Sequence, residues 1–414
     1  MEAIGKTMSH SWVWLMSVLL FFCNTIPFAG SLSLSLLLTP AWLYLIASWK
    51  LEFSAWLRPL TVLLAVYAGV HWYHGVEGTY YVVSSLIILA TLLFGIIAWY
   101  SFRRYGDSLD TIFRHLLILN FVFTLFSICL LFVPALKPLV WYTMSVSQDI
   151  EPFPRLKLLA SEASHYSYLL APLIIYFLSR ILFCRVSQPG TTLLFMLLPL
   201  ALSFSLGVIL CLTITGSLVF LIYFRRIMQD AGRWRNLLLL AVIALVVFLA
   251  LYYWFPDNPL YKRIANIIDG KDTSTRGRTY ESFILAHKIT ALKSQLFGIG
   301  PGQLKVLGKT LIIQYYQYTR MPEVVRIPNA AAETIVCYGY LGLAIRLLAQ
   351  GFLFFCTRVY LNPFRVWLFL FLFLFQFTGS YINNPAEYLL WALVFAPVFP
   401  DLDRQTMIVK HKGR

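Results

Sequence analysis

Charge is what this 414-residue sequence most lacks: 12% of its residues are charged, against about 25% in a soluble globular domain. With 59% hydrophobic residues as well, the chain has too little polar surface to face water and suits lipid instead. Its apolar runs are continuous rather than alternating, which excludes a transmembrane barrel. Acids are scarcer than bases, 18 Asp and Glu beside 33 Lys and Arg, for a formal net charge of +15. In so apolar a chain that excess reads as short basic cytoplasmic loops, so no nucleic-acid partner is expected. The six cysteines (Cys23, Cys129, Cys184, Cys211, Cys337 and Cys356) show neither CxxC spacing nor a Cys/His cluster, so neither a zinc site nor a disulfide framework follows. Internal repeats and low-complexity tracts are missing too. No cleavable signal peptide is expected, because the first apolar run lacks a small-residue cleavage site and another run follows at once.

What is present is a series of apolar runs, at about 12–29, 32–49, 58–73, 79–100, 116–135, 163–182, 191–206, 207–224, 236–254, 330–355, 364–381 and 386–400. They predict an all-α integral membrane protein of about twelve spans, a single domain over 1–414. The stretch 191–224 is split at Ser203–Gly207, where polar and flexible residues gather. With that split, Arg103, Arg104, Arg114, Arg180, Arg185, the cluster at 225–235 and the basic tail all fall on one side, with both termini. That side is expected to be cytoplasmic. The hydrophilic segment 255–329, between the ninth and tenth spans, is then extracytoplasmic. It holds eleven Lys and Arg against five Asp and Glu.

Inside this loop, apolar spacing from Thr279 to Leu296 predicts an amphipathic helix, with Thr279 and Ser282 at its start and Gly298 as its stop. Gly298-Ile-Gly-Pro-Gly302 reads as a tight turn rather than a phosphate loop, since it is neither GxGxxG nor a Walker sequence. Leu311–Tyr318 suggests a segment in the membrane interface. Arg276 and Arg278, just before the helix, suit a phosphate or diphosphate, or else are solvated or contact lipid headgroups. Arg326 closes the loop beside Asn329, and Glu333 lies one turn into the next span, where capping and function are alternatives.

Three further groups share the outer side. Glu162 and His165 sit three residues apart at the mouth of the sixth span, an acid/base or sugar-binding pair or ordinary helix-start chemistry. Ser203 and Ser205 mark a helix break with back-bonded hydroxyls as the plainer reading. Asn383, Asn384 and Glu387 form an outer turn whose amides either hold sugar hydroxyls or cap a helix. Their common side is the argument for an extracytoplasmic reaction on a lipid-linked, anionic substrate.

Several stretches resemble the O-antigen ligase and Wzy-type polysaccharide polymerase superfamily. They are Leu202-Ser-Phe-Ser-Leu-Gly207; Arg278 through the helix into Phe297-Gly-Ile-Gly-Pro-Gly302; and Pro328-Asn329-Ala-Ala-Ala-Glu333 with Gly339 and Gly342. Ser161-Glu-Ala-Ser-His165 is similar to a span start of exopolysaccharide polymerases, and Thr378-Gly-Ser380 with Pro385-Ala-Glu387 to a late segment of colanic-acid-type polymerases. The resemblance covers the chain from Ser161 on. It implies an integral-membrane glycosyltransferase fold and an inverting, metal-independent transfer without cofactor, at the periplasmic face of a bacterial inner membrane. The implied donors are undecaprenyl-diphosphate-linked glycans. Membrane lipids, a flippase and chain-length regulators are the implied partners.

On that resemblance Arg276, Arg278 and Arg326 bind diphosphate. Ser203, Ser205, Asn329, Glu333, Asn383, Asn384 and Glu387 bind substrate. One position departs from the pattern: Pro328 stands where the ligases hold a histidine. Glu162, with His165 behind it, is the substitute base, which favours a polymerase of lipid-linked repeats over a ligase. A transporter or flippase is the reading from another class, and the lack of repeats weighs against it.

Overall fold

The computed structural model describes residues 54–143, 153–184, 186, 188–228, 259–316 and 326–403, with isolated positions between 21 and 33 and between 238 and 253. The protein is an all-α multi-pass membrane protein. Strands among the described residues are limited to two short antiparallel pairs: Pro27–Ala29 (β1) with Leu32–Ser33 (β2), and Trp141–Tyr142 (β3) with Arg155–Leu156 (β4). Five helical stretches there are long and apolar enough to cross a membrane, and four shorter apolar helices accompany them. The runs expected at 12–29, 32–49 and 236–254 lie almost wholly outside the described residues.

Before the insert come α1 (Ser54–Tyr73), α2 (Gly78–Tyr105), α3 (Leu109–Leu130), α4 (Ala163–Phe183), α5 (Pro189–Ser203) and α6 (Leu206–Met228). The insert folds into α7 (Pro259–Ile268), α8 (Thr273–Arg278), α9 (Tyr280–Thr290) and α10 (Gly308–Tyr316). The chain ends in α11 (Ala330–Cys356), α12 (Pro363–Phe375) and α13 (Pro385–Phe395). Two of these starts follow a simple rule: Asn362 and Asn384 cap, and a proline takes the first helical position, where no amide hydrogen is needed. The split between α5 and α6 falls as expected. Phe204 turns left-handed (φ 47°), and the Ser203 hydroxyl donates back to the Leu200 carbonyl at 2.6 Å.

One apolar core joins α2 through α6 to α12 and α13. The insert has its own, in which Leu285, Ile289, Leu304 and Ile312 meet Ile335 and Val336 of α11. Ile312 of α10 turns into this core, while residues 317 and 318 of the segment expected at the interface lie outside the described residues. One expectation needs correction here. The helix expected over 279–296 stops at Thr290, and Leu292 and Leu296 are half-exposed (50% and 52%).

The cause of that early stop is a backbone exchange with α11. At Gly339 the helix is interrupted (φ 70°, ψ −175°), so Val336 and Cys337 lose their partners four residues on. Their carbonyls instead accept from Ile299 (2.8 Å) and Gly300 (3.1 Å). The freed amides of Tyr340 and Leu341 donate to Gln295 (3.0 Å) and Leu296 (3.2 Å). Residues 295–300 thus replace the four groups' missing helix partners, as a broken membrane helix requires. Both glycines facing each other are needed: a β-carbon on Gly298 would lie 2.6 Å from the Cys337 carbonyl carbon, and one on Gly339 would strike the Leu296 carbonyl.

The interruption also bends α11 sharply. Nη1 of Arg346 donates to Thr334 Oγ1 at 3.2 Å, although twelve residues of straight helix rise about 18 Å, farther than an arginine reaches. The limb before Gly339 is buried inside the protein. The limb after it is mostly open to lipid.

Candidate functional site

The β3–β4 pair sets the first basic group. Trp141 and Leu156 bury their side chains, the Trp141 indole donating to the Ser127 carbonyl at 2.7 Å, and this fixes Arg155 opposite Tyr142. The Arg155 guanidinium lies over the Tyr142 ring at 4.9 Å, a cation–π arrangement. Arg155 is only 8% exposed, and its Nε is buried without a hydrogen-bond partner. Burial lowers it from the ordinary arginine range to about 10; Arg263 and Arg278 add to the fall, and Tyr142 and Glu162 oppose it.

Glu162 follows at the N-cap position of α4, yet its carboxylate caps nothing; it accepts from the Ser164 hydroxyl at 3.0 Å and is exposed. His165, one turn on, has a buried Nε2 with no partner.

The insert supplies the next groups. Asp272 is buried, caps α8 by accepting from the Thr275 amide (2.6 Å), and pairs with Arg263 Nε at 3.3 Å. That anchor holds α8, and Arg278 is its last residue. The two arginines of the motif then part company. Arg276 pairs with Glu281 at 2.8 Å and lies near the Tyr280 ring. Arg278 has no carboxylate within ion-pair distance among the described residues. The hydroxyls expected to start α9 do not cap it: Thr279 donates back to the Thr275 carbonyl (2.8 Å) and Ser282 to that of Gly277.

Arg326 completes the set, its guanidinium 5.3 Å from the centre of the Tyr381 ring. The two tyrosines show which charges share the space. Burial raises the Tyr142 hydroxyl, Glu162 raises it further, and Arg155 and Arg278 pull it down. Tyr381 is raised by burial and then by Glu162, with Arg278 and Arg326 opposing and Glu333 raising. Arg155, Arg278, Arg326 and Glu162 therefore gather around Tyr142 and Tyr381 on the face that carries the insert. Three guanidiniums without a carboxylate partner among the described residues, one of them with a buried unused donor, suit an anion with several oxygens.

The remaining expected residues are placed differently. Asn329 has its amide fully engaged: Nδ2 donates to the carbonyls of Arg278 (2.8 Å) and Phe377 (2.6 Å), and Oδ1 accepts from the Ala332 amide (2.9 Å). It positions the arginine turn. Glu333 accepts from the Ile382 amide at 2.8 Å, tying down the turn before α13 and not its own helix. Asn384 caps α13 through the Ala386 amide (3.1 Å). Glu387 is buried and ion-paired with Arg346. Ser203 is buried and bonded to its own helix, and Ser205 is buried beside the break. Asn383 stays partly exposed on the turn. In the glycine turn, the amides of Ile299 and Gly300 serve α11, as a turn and not an anion cradle would have it.

Sequence reasoning missed Arg155, Arg263, Tyr142 and Tyr381, none of which stands in a motif. It also missed Arg346, although a lone charge inside a long apolar run is a signal in itself.

Fold and site together define a multi-pass membrane protein with a cluster of arginines beside the insert. Residues 191–347 match the protein family described as O-antigen ligase. That segment, somewhat over a third of the chain, carries the likeness to the O-antigen ligase and Wzy-type superfamily of glycosyltransferase-like ligases and polymerases. It contains Ser203, Ser205, Arg276, Arg278, Arg326, Asn329 and Glu333, whereas Arg155, Glu162 and Tyr381 lie outside it and join the site by geometry alone. No curated protein matches the chain.

Proposed function

We propose that this protein is a polymerase that joins lipid-linked oligosaccharide repeats into a surface polysaccharide or exopolysaccharide. The face with the insert is periplasmic in a bacterial inner membrane, and the donor is a glycan on undecaprenyl diphosphate. One observation supports the reading: Arg155, Arg278 and Arg326, without carboxylate ion-pair partners among the described residues, share the neighbourhood of Tyr142 and Tyr381 with the exposed carboxylate of Glu162. The diphosphate lies on the guanidiniums. A hydroxyl of the acceptor sugar attacks the anomeric carbon, a new C–O bond forms, and the bond to the diphosphate oxygen breaks with inversion. The hydroxyl proton passes to Glu162, with His165 behind it, and the leaving polyprenyl diphosphate takes the electron pair. Preorganised positive charge facing that developing charge is the main source of rate, about 10²–10³ for one donor. A base at Glu162 fits an acceptor on the open side of the site.

The ligase reading keeps one observation in its favour, the description of the matching family. Pro328 in place of the ligase histidine favours the polymerase. Purified protein given a single lipid-linked repeat separates them: a ladder of lengths means polymerase, and one transfer to a foreign acceptor means ligase. Arg278→Ala and Glu162→Ala are expected to abolish the long chains while the protein still reaches the membrane. Full-length polymer from both variants would remove the site assignment, and movement of the glycan across liposomes with no change in length would favour a transporter.

A further inference from the structure

Partly buried Arg346 and buried Glu387 form an ion pair, the first in the limb of α11 after Gly339 and the second in the first turn of α13. Neither touches the arginine cluster. The surrounding bonds show where the pair leads. Arg346 Nε donates to Gln376 Oε1 at 2.9 Å, its Nη1 reaches Thr334 across the bend, and Gln376 exchanges amide bonds with Gln350 (3.0 and 3.1 Å). The second oxygen of Glu387 accepts from the Ser380 hydroxyl at 2.6 Å, and Ser380 stands in the left-handed region (φ 64°). A serine rarely adopts that conformation unless its surroundings fix it.

Ser380 lies in the turn 376–384, and almost everything in that turn serves the site. The Gln376 and Gly379 carbonyls accept the first amides of α11, from Ala331 and Ala330, both at 3.0 Å. The Phe377 carbonyl holds Asn329, which in turn holds the Arg278 carbonyl. Tyr381 places its ring at Arg326, and the Ile382 amide holds Glu333. The turn thus touches the supports of two cluster arginines, and the ion pair fixes the turn from below.

We propose that Arg346 and Glu387 are positioning residues that hold the turn 376–384, and through Tyr381 and Asn329 hold Arg326 and Arg278, in the geometry that binds the diphosphate. The proposal rests on the anion-site reading given above. A buried pair of this kind adds little net stability, and replacing it with apolar groups of similar size is often neutral or better. A purely stabilising role and a positioning role can therefore be told apart.

The experiment uses the full-length protein in detergent, with its six cysteines replaced and Asn383→Cys added to report on the turn. The double variant Arg346→Met/Glu387→Leu removes both charges together. It is expected to melt within a few degrees of its parent, yet to react with a polar maleimide about tenfold faster at position 383. It should also bind inorganic diphosphate about tenfold more weakly by calorimetry. Arg346→Lys keeps the charge beside Glu387 and should recover part of both losses. Parental labelling or parental diphosphate affinity in the double variant would overturn the proposal. A parent that binds no diphosphate would remove the anion-site reading instead, and the labelling rate would still decide whether the pair holds the turn.

Discussion

Asn329 donates from Nδ2 to the carbonyl oxygen of Arg278 at 2.8 Å, joining the start of α11 to the last residue of α8. The same nitrogen serves the Phe377 carbonyl, so one side chain ties the insert, the broken helix and the turn before α13 together. Asn329→Ala loses a helix cap worth about 1 kcal/mol and leaves two carbonyls short of a donor at about 1 kcal/mol each. The variant is expected to melt at a lower temperature in detergent and to lose transfer as well. Asn329→Asp keeps the acceptor but sets a carboxylate against two carbonyl oxygens, and should fare no better. Parental melting and activity in the aspartate variant would show that the two donor bonds do not matter.

The helix break gives a second test. Gly339→Ala places a β-carbon against the Leu296 backbone at positive φ, so the exchange between residues 295–300 and α11 cannot close. Little folded protein is expected in the membrane, as judged by size-exclusion profiles. Gly351, in the other limb of the same helix, has nothing within 4 Å of an added β-carbon. Gly351→Ala should fold normally and gain up to about 1 kcal/mol. Equal yields from the two variants would argue against the exchange as a folding requirement.

Arg276 and Arg278 are two residues apart but have different surroundings, and rates should separate them. Arg276→Ala breaks a pair whose guanidinium is exposed and whose Glu281 carboxylate is buried; it is expected to lower the melting point and yet keep transfer within about threefold. Arg278→Ala removes a cluster guanidinium and is expected to lower the rate about 10²-fold or more. Matching losses in the two would mean that the pair works as a unit and that the Glu281 contact is not what occupies Arg276.

Arg155 offers a test by stability and pH. Its guanidinium is held at about 10 in the fold, below the ordinary arginine range, so between the two the unfolded chain binds more protons than the folded one. Stability therefore rises with pH across that window, and below about 10 the fold carries the whole cost of burying the charge. Arg155→Met is accordingly expected to melt higher than the parent at pH 7 without ligand, while diphosphate binding falls at least tenfold. A lower melting point together with parental binding would assign Arg155 to the fold instead of the site.

Much of this protein is legible without coordinates. The scarcity of charge and the unbroken apolar runs decide for membrane helices, because a span must satisfy its own backbone bonds in lipid. The break at Ser203–Leu206 and the helix starts at Asn362 and Asn384 are local, governed by residues that touch neighbours in sequence. Arg278, Arg326 and Glu162 were singled out because their chemistry suits an anionic substrate and they fall on one side of the expected spans. The length of α9 was misread because Leu292 and Leu296 fit the helical period, while the demand that ends the helix comes from Tyr340 and Leu341, more than forty residues away.

What the sequence determined by itself, then, was the solvent, the approximate spans, the insert and a list of polar residues suited to an anionic glycan substrate. The tertiary structure decided which of them meet. It set Arg155 near Arg278, and Arg278 and Arg326 near Tyr381; it engaged Arg276 with Glu281 and Asn329 with backbone, and put Glu387 under the turn with Arg346. The physical reason is that a free guanidinium and a paired one are the same letter in a sequence. Only the position of the nearest carboxylate, set by long-range packing, distinguishes a group that binds a ligand from one that holds the protein together.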